Sequence, residues 1–342
     1  MQRRASRFGR RSFLRGGLAL AGVGLAAGCG PPPLPWQQPA KVPRVGILSS
    51  RTPADSAPTL DAFRGGLRDL GYVEGQNIVL EPRFTEGISA QSSQLAAELV
   101  RLNVASIVAN DPNAVLAAKQ ASDAIPIVMA GASETPVERG FVASLARPGG
   151  NVTGLTQGTP TLPTKRLQLL KDTVPGLARV AFINDPAISP IEANPKVGGL
   201  RAAAEALGLR LEVVDLPAPD EFEALFADLG RKQVEGFFPD GSPITFTHRL
   251  RLSELAIRHR LPSIWQGSQY KDVALLAYGA NSLDVWRRAA TYVDKLLKGA
   301  SPADLPVEQP TKFDFVINLQ IARALGLTIP ESVLLEATEL IQ

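Results

Sequence analysis

A two-lobed α/β fold, each lobe a parallel sheet with helices on its faces, is predicted by three features of this 342-residue sequence. Short apolar runs alternate with amphipathic helical stripes from Arg44 onward. The alternation comes in two similar sets, one on each side of RPGGNVTGLTQ at Arg147–Gln157. The connections have the length of right-handed βαβ units, which build parallel sheets. Within the interrupting stretch, Pro148, Gly149 and Gly150 stop any helix arriving from the N-terminal side. Asn151–Leu155 then runs as a short extended piece. The stretch is expected to cross between the lobes, and a cleft lies beside such a crossing.

In the first set, Arg44–Leu48 (RVGIL) is apolar without alternation, as suits a strand buried on both faces. Leu60, Phe63, Leu67 and Leu70 recur at helical spacing, with Gly71 as C-cap. Asn77–Arg83 is the second strand, and Leu95, Leu99 and Leu102 mark the second helix. A strand at Ala105–Ala109, a helix near Asn113–Ser122 and a strand at Ile125–Met129 follow. Pro136–Leu145 is a helix or turn. In the second set, Thr164–Thr173 is helical, with Leu167 and Leu170 on one face. Arg179–Ile183 is a strand, Pro195–Leu207 a helix closed by Gly208, and Arg210–Leu216 a strand. Phe222, Leu225, Phe226 and Leu229 form a helical stripe, followed by a strand at Val234–Phe238, a helix at His248–Arg260 and a strand at Ser263–Trp265. Val273–Gly279 is expected to be a second crossing, since the long helix Leu283–Lys298 suits a cap on the first lobe. Phe313–Leu319 crosses a third time. The expected division is 44–150 plus 281–310 for lobe one and 156–277 plus 313–342 for lobe two.

The N-terminus has a different character. Arg3, Arg4, Arg7, Arg10, Arg11 and Arg15 all precede the first acidic residue, Asp55. Without those six the formal charge turns from +3 to −3, so the body is mildly acidic and nothing points to nucleic acid. GRRSFLR, with the Arg10-Arg11 pair, resembles the twin-arginine export signal. The apolar run Gly16–Ala27 is too short to span a membrane stably. It ends in LAAGC, which resembles a bacterial lipobox, with Ala26 where Leu is commonest. Residues 1–29 are thus expected to be a signal peptide ending at a lipidated Cys29. Cys29 is the single cysteine, so the exported body has no disulfide. The proline-rich stretch 30–43 reads as an extended tether.

Several chemistries lack their residues. No G-x-G-x-x-G follows the first strand, no P-loop occurs, and no G-x-S-x-G elbow supports a nucleophilic serine. His248 and His259 lie eleven positions apart on a basic helix, which reads as a solvated face rather than a zinc site. No catalytic residue, cofactor or metal is expected.

In open α/β sheets, ligands sit outside the C-terminal strand ends. In lobe one these ends carry Ser49, Ser50 and Arg51; Asn110 and Asp111; and Ser133 and Glu134. In lobe two they carry Asn184 and Asp185; Asp240 and Gly241; and Trp265 and Gln266. Thr156, Gln157, Tyr278 and Asn281 flank the crossings. Ser49, Asn110, Asn184 and Asp240 equally suit helix caps or turns, and Trp265 and Tyr278 equally suit inter-lobe packing. As a set they describe a polar-plus-aromatic cleft between closing lobes.

AFRGGLRDLGYVEGQNI (62–78), LAAELVRLNVASIVA (95–109), IPIVMA (125–130), LARPGGNVTGL (145–155), KRLQLLKDTVPG (165–176) and INLQIARALGLTIP (317–330) give the body its kinship. It resembles the family of ABC-transporter substrate-binding proteins that includes tryptophan-binding members. The resemblance implies two Rossmann-like lobes with three crossings, the type I periplasmic-binding-protein architecture. It also implies an extracytoplasmic, membrane-anchored lipoprotein that hands a small-molecule solute to a permease driven by an ATPase, acting as a monomer. A ligand-sensing receptor for a signalling partner is the alternative. Two departures stand out: Thr135-Pro136 where the family often has Asp-Pro, and Asn110-Asp111-Pro112 where small residues or Thr-Pro are common. The expected ligand is an amino acid, with an aromatic one first. Its carboxylate is expected on the helix N-termini after Ser49-Ser50 or Ser133. Its ammonium is expected on Asp111, Glu134, Asp185 or Asp240, and its apolar wall from Trp265 and Tyr278.

Overall fold

The computed structural model describes residues 42–159 and 161–342. Arg10, Arg11, Cys29 and most of the tether lie outside them. No helix among the described residues is long and apolar enough to cross a membrane.

Lobe one begins with β1 (Arg44–Ser49), α1 (Pro53–Asp69), β2 (Val79–Phe84), α2 (Ser92–Arg101), β3 (Ser106–Ala109), α3 (Pro112–Ala121), β4 (Ile127–Ala130) and β5 (Val152–Leu155). The strands form one parallel sheet in the order β2-β1-β3-β4-β5. β3, β4 and β5 are buried along their whole length, as unbroken apolar runs require when helices cover both faces. One face packs Val45, Ile47, Phe63 and Leu67; the other packs Leu48, Leu99, Ile107 and Val115. Asn151–Leu155 is therefore an edge strand of lobe one, and the crossing itself begins at Thr156. Pro136–Leu145 forms turns, anchored by buried Phe141 and Val142.

Lobe two contains α4 (Leu162–Thr173), β6 (Arg179–Asn184), α5 (Pro195–Ala206), β7 (Arg210–Asp215), α6 (Phe222–Arg231), β8 (Gly236–Pro239), α7 (Pro243–Thr247), α8 (Arg249–Arg258), β9 (Ile264–Trp265) and β10 (Leu276–Ala280). β7, β6 and β8 are parallel neighbours, and a Phe237–Ser263 bridge continues them to β9 and β10. Leu276–Ala280 is thus a full strand of lobe two, where a crossing was expected, and the chain leaves the lobe just after it. α9 (Ser282–Leu297) then packs on α1. Residues 307–308 run beside β5, and Glu308 accepts from the Thr156 amide at 2.9 Å. β11 (Phe313–Asn318) returns to lobe two, followed by α10 (Leu319–Leu325), α11 (Glu331–Glu336) and β12 (Glu339–Ile341). β11 runs antiparallel to β10, because the third crossing re-enters from the cleft side. This is the one reversed pair among the described strands.

The docking of α9 on α1 depends on Gly66. A Cβ there would lie 2.3 Å from the Arg287 carbonyl oxygen, a backbone contact that cannot rotate away. Helix propensity alone favours Gly66→Ala by about 1 kcal/mol. Forcing two packed helices apart costs about 1–3 kcal/mol or more, which offsets that gain and exceeds it where the contact is with rigid backbone. Gly66→Ala is therefore expected to lower the melting temperature by several degrees in a thermal scan. A stabilised variant would contradict this packing.

Candidate functional site

The C-terminal ends of β1, β3 and β4 face those of β8, β9 and β10 across a cleft. Three contiguous cavities fill it, all lined by Gln157 and Gln266. One has Ala130, Gly131, Gly279, Ala280, Val285 and Trp286 along its apolar side. A second is bounded by Ser50, Arg51, Asp111, Phe246, Gln269 and Tyr270. A third holds Ser133, Glu134, Arg139, Lys196 and Asp240.

The lobes touch in this structure. Asp55 on α1 pairs with Arg249 on α8 at 2.7 Å. The Arg51 guanidinium lies 4.5 Å from the Phe246 ring centre, a cation–π contact between lobes. A Cβ on Gly87 would fall 2.5 Å from Thr247 Oγ1, so glycine lets the two surfaces meet there.

A buried ion cluster reinforces the contact. Glu134 of lobe one, its side chain wholly shielded, accepts from Arg166 Nη2 at 2.9 Å. Lys196 approaches its other oxygen at 3.4 Å and Asp240 at 2.6 Å. Arg166 also donates to the Tyr278 carbonyl at 2.8 Å. Burial by itself would raise the Glu134 carboxyl, but Arg166 and Lys196 together hold it below the usual carboxylate range. Burial would likewise depress Lys196, yet Asp240 and Glu134 keep it above the ordinary lysine value. Three of these four residues come from lobe two. Arg166 and Lys196 were not singled out in the sequence. Arg166 carried a signal, since it lies four residues after Leu162 and four before Leu170, on the buried stripe of α4.

This cluster reassigns the expected ammonium acceptors. Glu134 and Asp240 already have cationic partners. Asp185 lies outside the three cavities and accepts from the Ala187 amide at 2.9 Å in a turn. Asp111 differs. Its Oδ1 caps α3, accepting from the Asn113 and Ala114 amides at 2.9 and 3.0 Å. Its Oδ2 is buried and has no hydrogen-bond partner among the described residues. Burial pushes this carboxyl above its ordinary value, against the pull of its capping amides, of the nearby Ser50 hydroxyl and of Arg51. Arg51 lines the same cavity, and burial lowers its pKa as well. Within the described residues its guanidinium forms no ion pair. A cation without an ion-pair partner and a carboxylate with one oxygen outside its capping bonds thus line one small space.

Other expected residues divide by location. Ser50, Asn110 and Gln157 line the cavities, and Asn110 Oδ1 accepts from the Ser50 amide at 3.3 Å. Ser49 is bonded to Ser56 at 3.2 Å beneath the site. Thr156 Oγ1 donates to the Gly158 carbonyl at 2.7 Å and shapes the crossing. Asn184 is fully enclosed, donating to Asp215 at 2.7 Å and accepting from Asn194 at 2.7 Å. Ser133 lines a cavity, but a turn rather than a helix follows it, so no helix dipole points there. Two aromatic assignments are corrected. Trp265 is wholly buried in lobe two, 4.9 Å from the Tyr270 ring centre, with its indole N–H donated to Ser263 at 3.0 Å. Tyr278 stacks on Phe313 at 6.2 Å, and none of the three cavities includes it. Phe246, Tyr270 and Trp286 supply the aromatic surface instead. Burial raises the Tyr270 phenol to about 12, so it stays protonated.

No group of His, Cys, Asp and Glu among the described residues is arranged to hold a metal ion. Residues 54–341 match the family described as ABC transporter substrate binding protein. The chain belongs to this family. Similar proteins include a tyrosine-binding protein of Clostridioides difficile (strain R20291), 25% identical over 275 residues, covering 79% of this chain and 78% of the relative. Among solved structures, a domain from Streptococcus pneumonia in complex with L-Trp aligns with a TM-score of 0.80 and 24% identity, covering 88% of this binding protein and 100% of that chain. A ligand-free, open substrate-binding protein with adhesive properties from Clostridium difficile aligns at 0.65 and 22% identity, covering 88% and 99%.

Proposed function

We propose that this binding protein captures a small zwitterionic amino acid, with a large apolar or aromatic side chain, between its lobes and delivers it to a membrane permease. The observation that carries the reading is that Arg51, which forms no ion pair among the described residues, and Asp111, whose Oδ2 accepts no hydrogen bond, line one cavity. A carboxylate suits the guanidinium fork, and an ammonium suits the free carboxylate oxygen. The adjoining apolar slot beside Val285 and Trp286 suits the side chain. The amino acids named for its relatives, tyrosine and tryptophan, support the same class. Calorimetry against an amino-acid panel, on protein unfolded and refolded to strip bound solute, tests it. Micromolar or tighter binding of an aromatic member is expected. Binding no stronger than millimolar, about −4 kcal/mol, by every member would overturn it.

The binding protein is further proposed to be an exported lipoprotein of an ABC importer, on the strength of Arg10-Arg11 and Cys29. Lysine in place of both arginines is expected to retain the protein in the cytoplasm. Cys29→Ala is expected to abolish lipid labelling and membrane partitioning in a fractionation assay. Unchanged partitioning of that variant would contradict the anchor.

A further inference from the structure

We infer that Gln269 is the lobe-two half of the ammonium site, so that one ligand ammonium donates to Asp111 from one lobe and Gln269 from the other. This rests on the amino-acid reading above and adds a residue to it. Gln269 Oε1 is buried and has no donor among the described residues. Its Nε2 donates to the Gln266 carbonyl at 2.8 Å. That bond fixes the amide orientation, since a flipped amide would set two carbonyl oxygens against each other. The neighbouring backbone is shaped around this oxygen. Gly267 has φ 88°, and a Cβ there would lie 2.3 Å from Gln269 Oε1. The positive φ favours glycine here, and the Gln269 amide fills the space that a side chain would take.

Gln269 and Asp111 line the same cavity, from opposite lobes. Neither oxygen accepts a hydrogen bond of ordinary geometry from the described residues, and the Ser50 hydroxyl is the donor nearest to Asp111 in effect. The cation lining that cavity, Arg51, has its guanidinium over the Phe246 ring. Two buried acceptors on residues that line one cavity suit a ligand group with at least two donors on one atom. A primary ammonium has three. A hydroxyl has one and satisfies a single acceptor. Contact between the lobes assembles this site, because each lobe brings one acceptor.

The test is a calorimetric cycle on the detergent-purified full chain, after refolding. The probes are L-tryptophan, L-phenylalanine and indole-3-lactate, which carries a hydroxyl in place of the ammonium. Gln269→Leu is expected to weaken both amino acids about ten- to a hundredfold, the range for a hydrogen bond to a charged group. It is expected to change the already weak binding of indole-3-lactate less than threefold. On the wild type, N-methyl-L-tryptophan, with two donors, is expected to bind, and the N,N-dimethyl analogue, with one, to bind at least tenfold more weakly. This arm needs no variant to fold. Equal loss for amino acid and hydroxy acid, no loss at all, or loss for tryptophan with phenylalanine spared would overturn the proposal. If the wild type binds the amino acids and only these differences are missing, the proposal alone falls. If it binds no amino acid, the reading of the site falls as well.

Discussion

Asp111→Ala is expected to weaken amino-acid binding by about two to four orders of magnitude while leaving the fold intact. Removing one partner of a desolvated charge pair costs about 3–5 kcal/mol, because the remaining charge stays buried and unpaired. In this protein the stranded charge would be the ligand's ammonium. Oδ1 also caps α3, and losing that cap costs about 1 kcal/mol of stability. Asp111→Asn retains the cap and removes the charge, so it separates the two effects. The pH dependence follows from the same group. Burial holds the free Asp111 carboxyl above the ordinary carboxylate value. The ammonium requires the ionised form, so affinity is expected to fall as pH drops through that raised value. An ammonium in place would lower the Asp111 pKa, so binding at acid pH releases a proton. In Asp111→Asn the acid-side loss should vanish. Titration calorimetry in buffers of different ionisation enthalpy reads both affinity and proton release. Wild-type affinity independent of pH down to the ordinary carboxylate range would contradict this assignment.

Glu134→Ala is expected to open the cleft. Glu134 is the lobe-one member of the buried ion cluster, and without it Arg166 loses its carboxylate partner. Keeping the lobes shut over an uncompensated arginine costs about 3–5 kcal/mol. Opening hydrates that charge, so the loss appears as a larger ligand-free radius of gyration more than as unfolding. Affinity drops because the closed form becomes a minor state. The cluster contributes little pH dependence near neutrality. Glu134 is depressed, so its contribution is complete above the unpaired value of about 4.3 and is lost as pH falls through its lower closed-state value. Lys196 is raised, so its contribution is complete below about 10.4 and is lost as pH rises past its higher value. Small-angle scattering without ligand should show Glu134→Ala expanded relative to wild type. Identical scattering curves would remove the cluster's role in closure.

The fold was legible because its signals are local. Unbroken apolar runs such as Arg44–Leu48 belong to strands covered on both faces, and the stripe Phe222, Leu225, Phe226, Leu229 can be satisfied only by a helix. Crossing points were harder to locate. Asn151–Leu155 and Leu276–Ala280 flank the hinge but hydrogen-bond as edge and interior strands, and pairing partners far along the chain decide that. The site was legible as a set of strand ends and much less so by role. Asp111 and Asp240 look alike in sequence, each polar and just after an apolar strand. They differ because Lys196, delivered by α5, reaches one and not the other. Trp265 was misplaced because a two-residue strand carries no alternation to tell an inward side chain from a cleft-facing one. Gln269 gave no sequence signal beyond the preceding Gly267, whose positive φ makes room for it.

The central claim is that the cleft reads both charges of an amino acid. Its most direct test is titration of the refolded binding protein with L-tryptophan, N-acetyl-L-tryptophan and tryptamine under one buffer. The first retains both charges, the second lacks the ammonium, and the third lacks the carboxylate. The account predicts micromolar or tighter binding of L-tryptophan and losses of about a hundredfold or more for each analogue, as unpaired Asp111 or Arg51 would then remain buried. Comparable affinity for all three, or for either analogue and the parent, would contradict it.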